Sequence, residues 1–214
     1  MAVIKRKRMP LMLLGALFIV GCFSGGGSDT ETLTGRILKP DGTPSAGTEV
    51  KLIPGDYDPA HPDSALIRST RTDAAGRYSF LTAPVAGSYN LLASDSSDGP
   101  AGLAVFAPAL TADSLPKTLS LAKARVFYIT LHRIDYPIAD SGKAYFPGTD
   151  ILIRCQGVAA TRLNGVPLGL DRIILESRAG WRHDYQVTVP GDSLNIKANQ
   201  DSVTVTPITK VTPL

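Results

Sequence analysis

Beyond residue 31 this chain has no apolar stretch of helical length. Its apolar residues come in short runs closed by Gly, Pro, Asp or Ser: Leu33 to Leu38, Val50 to Ile53, Tyr78 to Leu81 and Tyr89 to Leu92. The 16 prolines and 20 glycines are spread through the connections between these runs. Proline removes a ladder donor and glycine weakens a strand interior, so both belong at the joints of short strands. The pattern predicts an all-β fold, a sandwich of short strands followed by a second small β-sandwich-like domain.

Four motifs stand in order between Leu33 and Ala124. They are Thr34-Gly35-Arg36-Ile37, the run from Asp41-Gly42 to Leu52, the run from Thr70 through Asp73-Ala74-Ala75-Gly76 to Phe80, and Val85-Ala86-Gly87-Ser88-Tyr89-Asn90-Leu91. The segment resembles the carboxypeptidase regulatory-like domain, a transthyretin-like, seven-stranded β-sandwich common in exported bacterial proteins. The resemblance implies a fold over residues 32–124 and says nothing of a ligand. In metallocarboxypeptidases such a domain accompanies a much larger catalytic domain, which this chain has no room for. Read without the resemblance, Asp41-Gly42 and Ala75-Gly76 sit where the chain reverses, and glycine tolerates positive φ there. Asp73 is placed to accept backbone N–H bonds from the residues after it. Phe80 and Tyr89 supply large aromatic area, and Gly87 marks a tight entry to a strand.

Residues 125–214 read as a second β domain of no recognised family. Its candidate strands are Val126 to Leu131, Ile151 to Cys155, Arg172 to Glu176, Tyr185 to Val189, Leu194 to Lys197 and Val203 to Val205. Asn164-Gly165 is a hairpin-turn signal and Pro190-Gly191-Asp192 a second turn.

The N-terminus carries a different kind of information. Lys5, Arg6, Lys7 and Arg8 precede an apolar stretch from Leu11 to Gly21. That stretch is far short of the roughly 20 residues needed to span a bilayer and reads as the core of an export signal over residues 1–21. The run Ile19-Val20-Gly21-Cys22 resembles the bacterial lipobox, which implies acylation of Cys22 and cleavage before it. Two or more acyl chains would hold such a protein on its membrane. Residues 22–31, rich in Gly, Ser and Thr, form a flexible tether. Phe23, rather than an aspartate, follows the cysteine, which under enterobacterial sorting favours the outer membrane.

Removing the signal changes the charge. The formal +3 of the whole chain includes four basic residues and no acidic one from residues 1–21, so the remainder carries 18 Lys and Arg against 19 Asp and Glu, a net −1. There is no basic run left and no nucleic-acid footprint. With Cys22 acylated, Cys155 has no disulfide partner. It sits in an apolar run and reads as a buried small hydrophobe.

Chemistry is sparse. His61, His132 and His183 are scattered without metal-ligand spacing, Ser120-Leu121-Ala122-Lys123 lies in an alternating strand pattern rather than at a helix start, and most Asp residues stand in turns. The excursion from Pro54 to Ser64 is longer and more acidic than a hairpin needs. Asp56, Asp58 and Asp63 offer hard oxygen ligands, but their spacing matches no calcium loop and three prolines point to a stiff surface excursion. With Tyr57 it is the candidate binding loop of the first domain. Trp181, the single tryptophan, reads as a core-edge residue ahead of a sugar platform; Tyr57, Tyr136 and Tyr145 stand in loop-like contexts.

These readings converge on a non-enzymatic lipoprotein of the bacterial envelope, without cofactor or metal, whose sandwiches act as a structural or interaction module. The expected partners are the membrane, through Cys22, and an envelope protein or polysaccharide. A carbohydrate-binding accessory role, with Asp56, Tyr57, Asp58, Asp63 and Trp181 as candidate contacts, is the alternative. A small hydrolase ranks third.

Overall fold

A computed structural model describes residues 31–62, 67–82, 88–97, 99, 101–111, 117–133, 136–139, 141–156 and 159–208. The expectations for Ile19, Val20, Gly21, Cys22, Asp63 and Gly87 lie outside the described residues. The fold is all-β.

Residues 31–123 build two facing sheets. One runs in the order β4 (Arg77–Thr82), β1 (Glu31–Leu38), β7 (Thr118–Ser120), with β1 antiparallel to β4 and parallel to β7. The other runs β3 (Arg68–Arg71), β2 (Glu49–Pro54), β5 (Tyr89–Asp95), β6 (Leu103–Leu110), β8 (Ala122–Lys123), antiparallel throughout. Successive residues of a strand point to opposite faces, so Leu33, Ile37, Tyr78 and Phe80 meet Val50, Leu52, Leu91, Ala93 and Leu103 in one core. Burying each large apolar side chain contributes about 1.5–3 kcal/mol relative to leaving it in water.

The described strands of this half number eight rather than seven. The alternating run from Lys117 to Ala124 changes sheets partway: β7 pairs with β1, Leu121 is buried and donates its N–H to the Leu38 carbonyl at 2.8 Å, and β8 joins β6. The expected turns form. Gly42 and Gly76 take φ of +83° and +73°, and Asp73 Oδ1 accepts the N–H groups of Ala75 and Arg77 at 2.9 and 2.8 Å.

Residues 125–207 build a second sandwich. Its first sheet runs β10 (Tyr136–Ala139), β9 (Arg125–Arg133), β16 (Ser193–Ala198), β17 (Val203–Pro207), with β13 (Thr161–Val166) also pairing β9. Its second runs β12 (Leu152–Cys155), β11 (Gly142–Tyr145), β14 (Arg172–Ser177), β15 (Arg182–Gln186), antiparallel throughout. Phe127, Phe146, Ile173, Leu175, Leu194 and Ile196 fill the space between.

Two local expectations fail here. Asn164-Gly165 closes no hairpin: both residues lie inside β13, where Gly165 at φ +75° makes a bulge and the register against β9 shifts between Leu163 and Val166. The strand expected from Tyr185 to Val189 begins at Arg182 and ends at Gln186.

The chain passes from β8 to β9 through Ala124 alone, which is fully buried and donates to the Gly102 carbonyl at 3.0 Å. The β11–β12 hairpin then docks on the outer face of the β3-β2-β5-β6-β8 sheet. Ile151 packs on a cluster of Ile53, Tyr57 and Leu92 with Phe106. Gly148 donates its N–H to the Tyr57 carbonyl at 2.8 Å, and its own carbonyl accepts Asn90 Nδ2 at 2.7 Å. Lys51 Nζ meets Asp150 Oδ2 at 2.6 Å. Burial opposes the Lys51 charge, but Asp150 and Glu49 outweigh it and hold its pKa above the ordinary lysine value.

Candidate functional site

The acidic excursion belongs to this joint. Tyr57 is buried, at 8% exposure, and Pro59 beside it is buried as well, while Asp56, Asp58 and His61 face solvent. Asp58 caps its own turn, accepting the Ala60 N–H at 2.8 Å, and meets His61 Nδ1 at 3.0 Å. The His61 bond is the main cause of a lowered Asp58 pKa, and Lys143 of the second sandwich is near enough to lower it further. No cluster of three or more His, Cys, Asp or Glu able to hold a metal occurs among the described residues. The loop thus acts as a wedge, and Tyr57 is no exposed contact.

Trp181 is partly buried against the second core, its ring 5.4 Å from that of His183. Its indole N–H is enclosed with no hydrogen-bond partner among the described residues. A sugar platform presents an open ring face, so the core-edge reading fits this residue. Tyr145, expected in a loop, is a buried strand residue at 2% exposure.

The richest polar arrangement is on the outward face of the β12-β11-β14-β15 sheet. Pairing registers set Arg154 opposite Lys143, Lys143 opposite Glu176, and Glu176 opposite Arg182, a charged row crossing all four strands. Residues directly opposite in an antiparallel pair point to the same face, so the row is a direct product of register. Glu176 is its hub: Oε2 meets Lys143 Nζ at 2.9 Å, and Oε1 accepts the Tyr145 hydroxyl at 2.7 Å and lies 3.5 Å from Arg182 Nε. Partial burial works against the Glu176 carboxylate, but the bonds from Tyr145 and Lys143 and the nearby cations prevail, so its pKa is lowered. Tyr145 is pushed well above the ordinary phenol value, first by desolvation and then by the Glu176 acceptor. Further along the face, Arg172 makes a two-pronged contact with Asp184 at 2.9 and 2.6 Å.

At one end of this face lies a depression of about 450 Å³ lined by Ser141, Gly142, Lys143, Arg154, Gln156, Glu176, Ser177 and Arg178, with Cys155 in its wall. Gly142 is required there, because a methyl group would drive into the Glu176 carbonyl and the Leu131 side chain. Desolvation pushes the Cys155 thiol up to about 11, so it is no nucleophile at neutral pH. Ser120 is exposed on β7, and Lys123 is committed to Asp192 at 2.7 Å. His183 Nε2 meets the Asn199 carbonyl at 2.6 Å.

None of the row was singled out in the sequence. Its signal was there in part: Arg182, Asp184 and Gln186 alternate with His183, Tyr185 and Val187, a period of two with polar residues on one side. Lys143 and Tyr145 were hidden because Gly142-Lys143-Ala144-Tyr145 carries little apolar weight.

No family model matches the chain, and no curated protein does. Among solved structures the chain is similar to a streptococcal ancillary pilin, at 13% identity over 80% of this chain and 63% of that one, with a TM-score of 0.29. It is also similar to the tip fimbrial protein of Porphyromonas gingivalis, at 9% identity over 82% of this chain and 96% of that one, TM-score 0.25. A third is the shaft pilin of Lactobacillus rhamnosus GG, at 11% identity over 81% and 97%, TM-score 0.24. This chain spans less than two thirds of the ancillary pilin's length. Scores this low add nothing to what the sheets themselves establish.

Proposed function

We propose that this chain is a bacterial envelope lipoprotein, held by acyl chains on Cys22, whose two β-sandwiches form a non-enzymatic structural or interaction module with a carboxypeptidase regulatory-like first half. The observation that carries this reading is the joint. The Phe146 to Ile151 hairpin tip is bonded through Gly148 to Tyr57 and Asn90 and paired through Asp150 to Lys51, so the two sandwiches are held as one unit. A stiff body on a flexible tether is suited to presenting a surface away from the membrane. The surface it presents is the Arg154 to Arg182 row, in which Lys143, Tyr145 and Arg182 are engaged with Glu176 rather than poised for proton transfer. The outer membrane is the proposed site, following from Phe23 after the cysteine.

Metabolic labelling with a fatty acid tests the anchor. Label is expected on the wild-type protein and not on Cys22→Ser, and label persisting in that variant would overturn the lipoprotein reading. A photo-crosslinking residue placed at Arg182 in cells should capture an envelope component that one placed at Gly42 does not.

A further inference from the structure

We propose that the depression at the end of the β12-β11-β14-β15 sheet binds carboxylate groups displayed on an acidic envelope polysaccharide. This rests on the reading of the chain as an envelope interaction module and names the chemistry of its partner.

The charge of the lining is the first argument. Lys143, Arg154 and Arg178 face a single carboxylate, Glu176, a local excess of two positive charges in a mature chain whose formal net charge is −1. Glu176 is already shared among Lys143, Arg182 and the Tyr145 hydroxyl. Arg154 and Arg178 make no side-chain hydrogen bond or ion pair with a described residue, and both are exposed. Two guanidinium groups left in a concavity present donor forks that match a planar carboxylate or a phosphate face.

Placement is the second argument. Arg154 stands directly opposite Lys143 in the β11–β12 register. Arg178 is fixed by its backbone N–H, which donates to the Ser141 carbonyl at 2.7 Å across the mouth of the same depression. The backbone that carries these cations is therefore fixed by strands and a pinned turn, so ordering on binding is confined to the side chains.

The neutral part of the lining selects the carrier. Ser141 and Gln156 bring a hydroxyl and an amide suited to a hydroxyl-rich ligand, and the volume of about 450 Å³ lies within the range of small-ligand clefts. A lipid surface would call for apolar side chains beside the cations. The exposed large apolar residues among the described ones, Leu81, Leu168 and Ile208, are not in this lining.

The test titrates the detergent-solubilised full chain by calorimetry with an oligogalacturonate of about ten sugars, neutral dextran, inorganic phosphate and phosphatidylglycerol vesicles; an oligomer of that length more than fills one such cleft. Oligogalacturonate is expected to bind and dextran not. In Arg154→Gln/Arg178→Gln the affinity should fall about tenfold or more, the loss of two charge-assisted contacts. Lys197→Gln/Arg162→Gln, which removes the same charge from exposed positions on the other sheet, should stay within about twofold, as screened surface charges allow. Equal affinity in the Arg154/Arg178 variant, equal binding of dextran, or binding of phosphate or vesicles without oligogalacturonate would each overturn the proposal. Lost oligogalacturonate binding beside intact fatty-acid label on Cys22 would remove this inference alone, whereas intact binding without label would remove the anchor alone.

Discussion

Asn90 reaches from the outer face of one sandwich to the Gly148 carbonyl of the other, its Nδ2 donating at 2.7 Å while its Oδ1 accepts the Ala109 N–H at 3.0 Å. The second bond holds a bulge in β6, where the register against β5 shifts between Tyr89 and Leu91 and Ala109 takes a φ of 55°. One buried amide thus serves both the shape of a strand and the seating of a hairpin more than fifty residues away.

Asn90→Ala removes both bonds; the buried Gly148 carbonyl loses this donor, whereas the N–H of the exposed Ala109 can turn to water. A buried group left unsatisfied costs about 1–3 kcal/mol, so a loss of about 1–3 kcal/mol in urea unfolding is expected. Asn90→Asp keeps the acceptor for Ala109 but sets a carboxylate against the Gly148 carbonyl, and should destabilise as well. A change under about 0.5 kcal/mol in both variants, the range of ordinary surface substitutions, would show that the amide does not secure the joint.

Gly148 and Gly42 separate two effects of substitution. Both have positive φ, +73° and +83°, but Gly148 is packed against the Asn90 amide whereas nothing lies within 4 Å of the Gly42 position. Gly42→Ala should cost only the left-handed backbone term, about 1–2 kcal/mol. Gly148→Ala adds a collision with Asn90 and should cost more, with parallel loss of the joint. Equal midpoints in denaturant would contradict the packing described.

Lys51 and Asp150 bridge the sandwiches with side chains about one quarter exposed, 24% and 26%. Their coupling should lie between that of surface pairs and that of buried ones, about 1–2 kcal/mol in a double-mutant cycle of Lys51→Met and Asp150→Asn. A coupling indistinguishable from zero at low salt would mean the hairpin is seated by Ile151 and Gly148 without this pair.

Much of the strand set was legible from residue pattern. Val50-Lys51-Leu52 and Tyr78-Ser79-Phe80 alternate in and out, and the turns at Gly42 and Gly76 needed the residues they have. What escaped depends on partners distant in sequence. Gly142-Lys143-Ala144-Tyr145 is a strand because β12 and β14 flank it on both sides. Asn164-Gly165 has the chemistry of a hairpin turn, but β9 continues on the far side of it, so the same positive φ produces a bulge. Tyr57 sits in a loop of surface composition and is buried because a hairpin some ninety residues later covers it. The Glu176 row exists only once four strands are in register.

The acid limb of stability tests the Glu176 hub. A carboxylate whose folded pKa is lowered releases its proton more readily in the native state, so it adds stability above the ordinary glutamate value of 4.5. That contribution fades as pH falls below 4.5 toward the depressed native value, because the unfolded chain takes up the proton first. The urea midpoint of the wild type should therefore drop through this interval more steeply than that of Glu176→Gln, with the two curves converging at the acid end. Parallel curves from pH 7 to pH 3 would mean that Lys143, Tyr145 and Arg182 do not hold the ionised form.

Cys155 offers a readout of the second core. With its thiol pushed up to about 11 by desolvation, roughly one in a thousand is thiolate at pH 8, and the side chain is only 3% exposed. In Cys22→Ser, where Cys155 is the remaining thiol of the two in the sequence, disulfide reagents should react slowly in buffer and rapidly in urea. Rapid stoichiometric labelling in buffer would place the thiol at the surface of the depression rather than within its wall. The intermediate result is informative too: protection lost in Gly142→Ala, but kept in Asn90→Ala, would show that the wall depends on the close approach of β11 to β14 and not on the joint between the sandwiches.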